Sequence, residues 1–182
     1  MIKVNLNTYS NNWYNPGNKI KIISWYFTNI LILKTMLPIS SAIKVKILQL
    51  FGAKIGSGVV IKPNVNIKYP WLLRIGDYCW IGEGVWVDNL AMVTIGNNVC
   101  LSQGAYLLTG SHNYKKETFD LIVGEITLED GVWIGAKAIV CPNVICKSHS
   151  VLSSGSVATK ELEEFGIYQG NPAMWKRKRE LA

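Results

Sequence analysis

The sequence contains no CxxC pair, and neither of its two histidines stands at zinc-ligand spacing from the four cysteines, Cys79, Cys100, Cys141 and Cys146. Those absences argue against a disulfide framework and a metal site, so no metal is expected and the cysteines read as reduced thiols filling small slots. The longest uncharged apolar stretch, Ile22 to Leu33, has twelve residues, whereas a bilayer span needs about 20. The first residues show no basic stretch, apolar run and small-residue cleavage site in succession. The expected location is cytoplasmic, without a firm transmembrane anchor.

Apolar residues are not scarce. At 49% of 182 residues they are ample for one core. The net charge of +7 is uneven: Lys19, Lys21, Lys34, Lys44 and Lys46 gather near one end and Lys176-Arg177-Lys178-Arg179 at the other. Basic ends suit nucleic acid, anionic lipid or a phosphorylated ligand. No nucleic-acid partner is expected.

The organising feature is a repeat of six residues. Aliphatic markers recur at Ile55, Ile61 and Ile67, at Ile75, Ile81 and Val87, and at Ile95, Leu101 and Leu107. They resume at Leu128, Ile134, Val140, Cys146, Leu152 and Ala158, and thirteen of these fifteen positions are Ile, Leu or Val. Four residues after most markers stands a small side chain, Ala91 and Ser111 among them, and glycine often follows the marker, as at Gly56, Gly76, Gly82, Gly96 and Gly135. Neither a period of two nor helical spacing produces this pattern. It predicts an all-β solenoid in which three hexapeptides make one triangular coil, with glycine relieving the turns. Five stacked coils would stand about 24 Å tall. Gaps of eight at Ile67 to Ile75 and Val87 to Ile95 add two residues at one corner.

Residues 1–50 lack the repeat. Ile20 to Leu33 and Ile43 to Leu50 read as two helices parted near Pro38. This N-terminal helical segment either caps the open edge of the first coil or lies at a membrane interface. In the second case Trp25, Tyr26 and Phe27 enter the surface, giving peripheral contact at the inner membrane face through residues 20–35. The helix occupies 51–160 with an inserted loop at 108–127, and 161–182 forms a short basic C-terminal tail, helical over Met174 to Leu181.

The loop is the functional candidate, because long loops on rigid scaffolds commonly carry function. It opens with Gly110-Ser111-His112-Asn113-Tyr114. His112 sits where the chain leaves the scaffold, while His149 is expected to stand exposed and inert in a turn of the fourth coil. An imidazole can remove a proton from a hydroxyl as that oxygen attacks a thioester. On the residues alone, a lone loop histidine is more often structural than catalytic.

The segments Phe51 to Gly56, Ile81 to Gly84, Thr94 to Gly96, Leu107 to His112, Gly131 to Gly135, Val157 to Lys160 and Gly170 to Ala173 add a resemblance. From about Phe51 to Arg177 the chain resembles the hexapeptide-repeat acyltransferases, and within them the colanic acid biosynthesis acetyltransferases and the galactoside and maltose O-acetyltransferases. The resemblance implies a left-handed parallel β-helix and a homotrimer with active sites between subunits. It implies acetyl-CoA as donor and His112 as the catalytic base, acting on a hydroxyl of a sugar or glycan in bacterial surface polysaccharide biosynthesis. It places the pantetheine arm near Ala136 and Ser154, with Thr159, Lys160 and Arg177 toward the nucleotide. Met174 and Cys146-Lys147-Ser148-His149 depart from the family pattern, and Gly82 stands where galactoside enzymes carry an acceptor asparagine. Asp88 and Asn89 are candidate substitutes for substrate binding, or else cap a turn. The alternatives are N-acetylation of an amino-sugar nucleotide and a non-catalytic scaffold. A zinc lyase on this coil is disfavoured, because three histidine ligands would be needed.

Overall fold

The computed structural model describes residues 2–181 and forms a parallel β-helix of five coils, with a sixth begun. Its strands stack in three faces. Face one carries Lys54–Ile55, Leu73–Ile75, Val93–Ile95, Ile126–Leu128 and Ile145–Cys146. Face two carries Val60–Ile61, Trp80–Ile81, Cys100–Leu101, Trp133–Ile134, Val151–Leu152 and Gly166–Gly170. Face three carries Asn66–Ile67, Trp86–Asp88, Tyr106–Leu108, Ile139–Val140 and Val157–Ala158. Markers fall in register from coil to coil, Ile61 beside Ile81, then Leu101, then Ile134, then Leu152. Fourteen of the fifteen are buried, Ile55 at the open end being partly exposed. Burying each of the Ile, Leu and Val markers contributes about 1.5–3 kcal/mol.

Two details of the repeat differ from the sequence reading. The small inward slot counts back two residues from the next marker, not forward four from the last. The two counts diverge wherever a corner carries extra residues. There the slot holds Leu73, Val93 and Ile126, all buried, while Ala91 is half-buried and Ser111 exposed. Nor do all the thiols fill small slots. Cys79 does, but Cys146 takes a marker position, where burial pushes its thiol up to about 12, and Cys100 and Cys141 are half-buried outside the core.

The glycines after the markers owe their place to stacking rather than to an unusual backbone. A Cβ on Gly135 would lie 2.5 Å from the Ser154 nitrogen and 2.8 Å from the Leu152 oxygen of the next coil. The left-handed turn residues come three after the marker instead, as at Gly84, Gly104 and Gly155 with φ of 69°, 66° and 69°. Gly135→Ala is accordingly expected to cost about 2 kcal/mol, because the opposing atoms are backbone. A thermal melt should show this as a Tm lowered by roughly 4–8 °C.

The N-terminal segment closes the open edge of the first coil. Helix α1, Lys19–Thr28, is capped by the Asn18 side chain and continues through a π-type turn, Asn29–Leu33; helix α2, Ser41–Leu50, is capped by Ser40. In later coils each marker carbonyl accepts from the preceding coil, as when Lys62 N–H donates to Ile81 at 2.9 Å. The first coil has no predecessor, and side chains take its place. Gln49 Nε2 donates to the Ile55 carbonyl at 3.0 Å, Lys44 Nζ to Ile61 at 3.2 Å, and Trp25 Nε1 to Ile67 at 2.8 Å. Unpaired buried carbonyls are thereby avoided. Trp25 is buried, so it does not face outward as the interfacial reading required, and burial holds the Lys44 ammonium below the ordinary lysine range.

At the other end, the tail read as helical over Met174 to Leu181 is a strand, Ala173–Lys178, antiparallel to Gly166–Gly170. Gly170, with φ 108°, starts the reversal. The last edge of face two then offers a row of backbone partners that outweighs any local helical preference.

Candidate active site

The chain leaves face three after Leu108 and rejoins face one at Ile126. The insertion is a β-hairpin in which His112 stands opposite Leu121 and Gly110 opposite Val123. Thr109, fully buried, fastens its base: the hydroxyl donates to the Asp88 carbonyl at 2.8 Å, and the Thr109 carbonyl accepts from Gly124 N–H at 2.8 Å.

Among the described residues the His112 imidazole makes one polar contact, Nδ1 to the Phe119 carbonyl at 2.9 Å, and its ring stacks on Phe119 with centroids 4.4 Å apart. A carbonyl oxygen can only accept, so Nδ1 carries the proton and the lone pair of the neutral ring belongs to Nε2. Tyr9 packs on the imidazole at 5.8 Å. The segment that supplies Tyr9 is tied across the hairpin, with Asn5 N–H donating to the Glu117 carbonyl at 3.0 Å and the Tyr14 hydroxyl to the Leu90 carbonyl at 2.8 Å. An open cleft of about 330 Å³ results, lined by Tyr9, Asn11, Tyr14, Lys68, Tyr69, Leu90 and His112.

Asp88 borders the adjoining cavity of about 250 Å³, which shares Lys68 and Tyr69 with the cleft and also holds Asn29, Asn66 and Trp86. Its carboxylate pairs with Lys68 Nζ at 2.8 Å and accepts from the Tyr106 hydroxyl at 3.4 Å. Burial, then Tyr69 and Asp88, pushes the Tyr14 hydroxyl well above the phenol range. Burial, with Asp88 adding, pushes Tyr106 up to about 12. These phenols remain donors at neutral pH. Asn89 is a different case. Fully buried, it accepts from Tyr69 N–H at 2.9 Å and donates to the Tyr69 and Leu72 carbonyls at 2.7 and 3.0 Å. Its polar atoms are spent on the corner of the preceding coil, which corrects its reading as a substrate contact.

The residues associated with the coenzyme are divided by the fold. Ser154 and Arg177 line one cleft of about 350 Å³ on face two, together with Trp133, Gly135 and Arg179. Ala136 lies one coil away, its carbonyl accepting from Gly155 N–H at 2.8 Å. Thr159 and Lys160 are exposed beyond Ala158, at the corner where face three turns toward face one, and line neither cleft. The hairpin bearing His112 leaves that same corner, opposite face two. His149 is not exposed in the fourth coil. It lies half-buried in the fifth, stacked on Phe165 at 4.8 Å, with its carbonyl accepting from Arg179 at 3.2 Å.

Sequence reasoning missed Tyr9, Asn11, Tyr14, Lys68 and Tyr69 at the His112 cleft, and named Arg179 at the other only within the basic C-terminal run. A lysine beside a tyrosine at the extra-residue corner was the one available hint. No cluster of three His, Cys, Asp or Glu able to hold a metal occurs among the described residues.

No family model matches the chain. The Escherichia coli K12 protein WcaF, named for acetyl transfer in colanic acid biosynthesis, is 35% identical over 166 residues, covering 91% of each chain. Galactoside O-acetyltransferase of the same organism is 27% identical over 123 residues, 66% of this chain and 61% of that one. Among solved structures, a hexapeptide-repeat acetyltransferase of Vibrio cholerae complexed with acetyl-CoA superposes with a TM-score of 0.73 at 23% identity, covering 80% of this chain and 81% of that one. This last likeness is one of fold.

Proposed function

Because the chain belongs to the hexapeptide-repeat acetyltransferases, we propose that it moves an acetyl group from acetyl-CoA directly to a hydroxyl of a sugar in a surface glycan, with His112 as general base. The observation that carries this is the Nδ1 contact with the Phe119 carbonyl, which assigns the basic lone pair to Nε2 on a ring lining an open, polar cleft. Nε2 accepts the hydroxyl proton as the sugar oxygen attacks the acetyl carbonyl. The protonated ring then returns the proton to the departing sulfur, so the base is regenerated and no acyl-enzyme forms. Asp88, Lys68 and the Tyr69 hydroxyl orient the acceptor.

Acetyl-CoA is the molecule complexed in the Vibrio structure. In this chain the cleft on face two suits it: Gly135 and Ser154 leave room for a thin arm, and Arg177 and Arg179 supply cations for phosphates. His112 and that cleft lie on different sides of the β-helix, so a complete site needs face two of one copy beside the hairpin of another. Ala136, Ser154 and Arg177 would then come from one subunit and His112, Thr159 and Lys160 from its neighbour, as in a homotrimer. The test is thiol release from acetyl-CoA. It is expected only when a glycan acceptor is added, and release independent of acceptor would count against the reading.

A further inference from the structure

The inner side of α1 and its π-type extension is spent on the first coil, through Trp25, Asn29 and Leu33, all buried. Its outer side is also apolar. Ile20, Ile23, Tyr26, Phe27, Ile30 and Leu31 are between 39% and 75% exposed, with Ser24 the one polar side chain among them. They recur at three- and four-residue steps, which places them on one face. Lys21 is half-buried with its ammonium 4.6 Å from the Trp71 ring centroid, and the exposed lysines are Lys19 and Lys34 at the two ends of the segment and Lys46 on α2. An ordinary surface helix places its charges outward, and this one reverses the rule.

The charge around the face indicates its occupant. Residues 1–76 contain ten Lys and Arg and no Asp or Glu, whereas residues 77–182 contain nine and twelve. A second copy meeting this face with its own would set lysine against lysine. An anionic surface meets both features at once. No helix among the described residues is long and apolar enough to cross a bilayer, so the segment would lie along the surface.

We propose that this face docks the protein on a bilayer bearing anionic headgroups, with Ile20, Ile23, Phe27 and Leu31 entering the acyl boundary and Lys19, Lys34 and Lys46 meeting the headgroups. Tyr26, Ile30 and Lys34 also border the cavity that holds Asp88, whereas Ile20, Ile23, Phe27 and Leu31 line neither that cavity nor either cleft, so the inference does not depend on the acetyl-transfer reading. The probe is flotation with vesicles of mixed phosphatidylglycerol and phosphatidylcholine. The wild-type chain is expected to float with them, less so at high salt, and weakly with phosphatidylcholine alone. Ile23→Glu, Phe27→Glu and Leu31→Glu together should abolish flotation while circular dichroism and subunit number stay unchanged. Lys19→Gln with Lys46→Gln, which leaves the packing untouched, should weaken binding to the anionic vesicles roughly 30-fold. A wild-type chain that does not float, either variant floating like wild type, or a triple variant that loses subunits would overturn the proposal. The last result would make the face a contact between copies.

Discussion

His112→Ala is expected to lower kcat for acceptor-dependent thiol release by about 10²–10⁴, with little change in the KM for acetyl-CoA. The split follows from the placement of the groups. The imidazole is on the hairpin at the corner opposite face two, whereas the cleft assigned to the coenzyme is on face two. His112→Asn should lose as much, because an amide keeps a polar side chain but cannot take a proton at neutral pH. Neither change should disturb the coil, since Thr109 fastens the base of the hairpin and the imidazole bonds only within it, to the Phe119 carbonyl. A variant with wild-type kcat would remove His112 from the chemistry.

Subunits defective on opposite sides are expected to repair one another. Ser154→Trp fills the cleft on face two, a misplacement worth on the order of 10² in rate, and His112→Ala removes the base. Each alone is inactive within those limits. Coexpressed and purified as mixed assemblies, they create some interfaces where an intact face two meets an intact hairpin. Random assembly makes about one quarter of the interfaces complete, so about a quarter of wild-type activity should return. Activity that stays at the average of the two variants would mean that each chain contains its whole site.

The coil was legible because stacking repeats the same two demands every six residues, a large aliphatic and a small slot, and both are local. The corner insertions were misread for the same reason. Counting forward from Val87 reaches Ala91, while the chain counts back from Ile95 to Val93. His112 was visible as one of only two histidines and the one on a break in the repeat. The rest of its cleft was not, because the Tyr14 contact with Leu90 spans 76 residues and leaves no spacing to detect. The C-terminal strand likewise depends on a sheet edge that exists only after folding. For the N-terminal segment, the two readings posed as alternatives concern different sides of one helix: Trp25 closes the coil while Phe27 faces outward.

The bond formed is the most direct measure of the central claim. Wild-type protein given acetyl-CoA and an acceptor oligosaccharide is predicted to yield acetylated sugar and free thiol in equal amounts, with the acetyl group removed by mild alkali as an ester. An alkali-resistant acetamide, or thiol released without acetylated sugar, would contradict transfer to a hydroxyl.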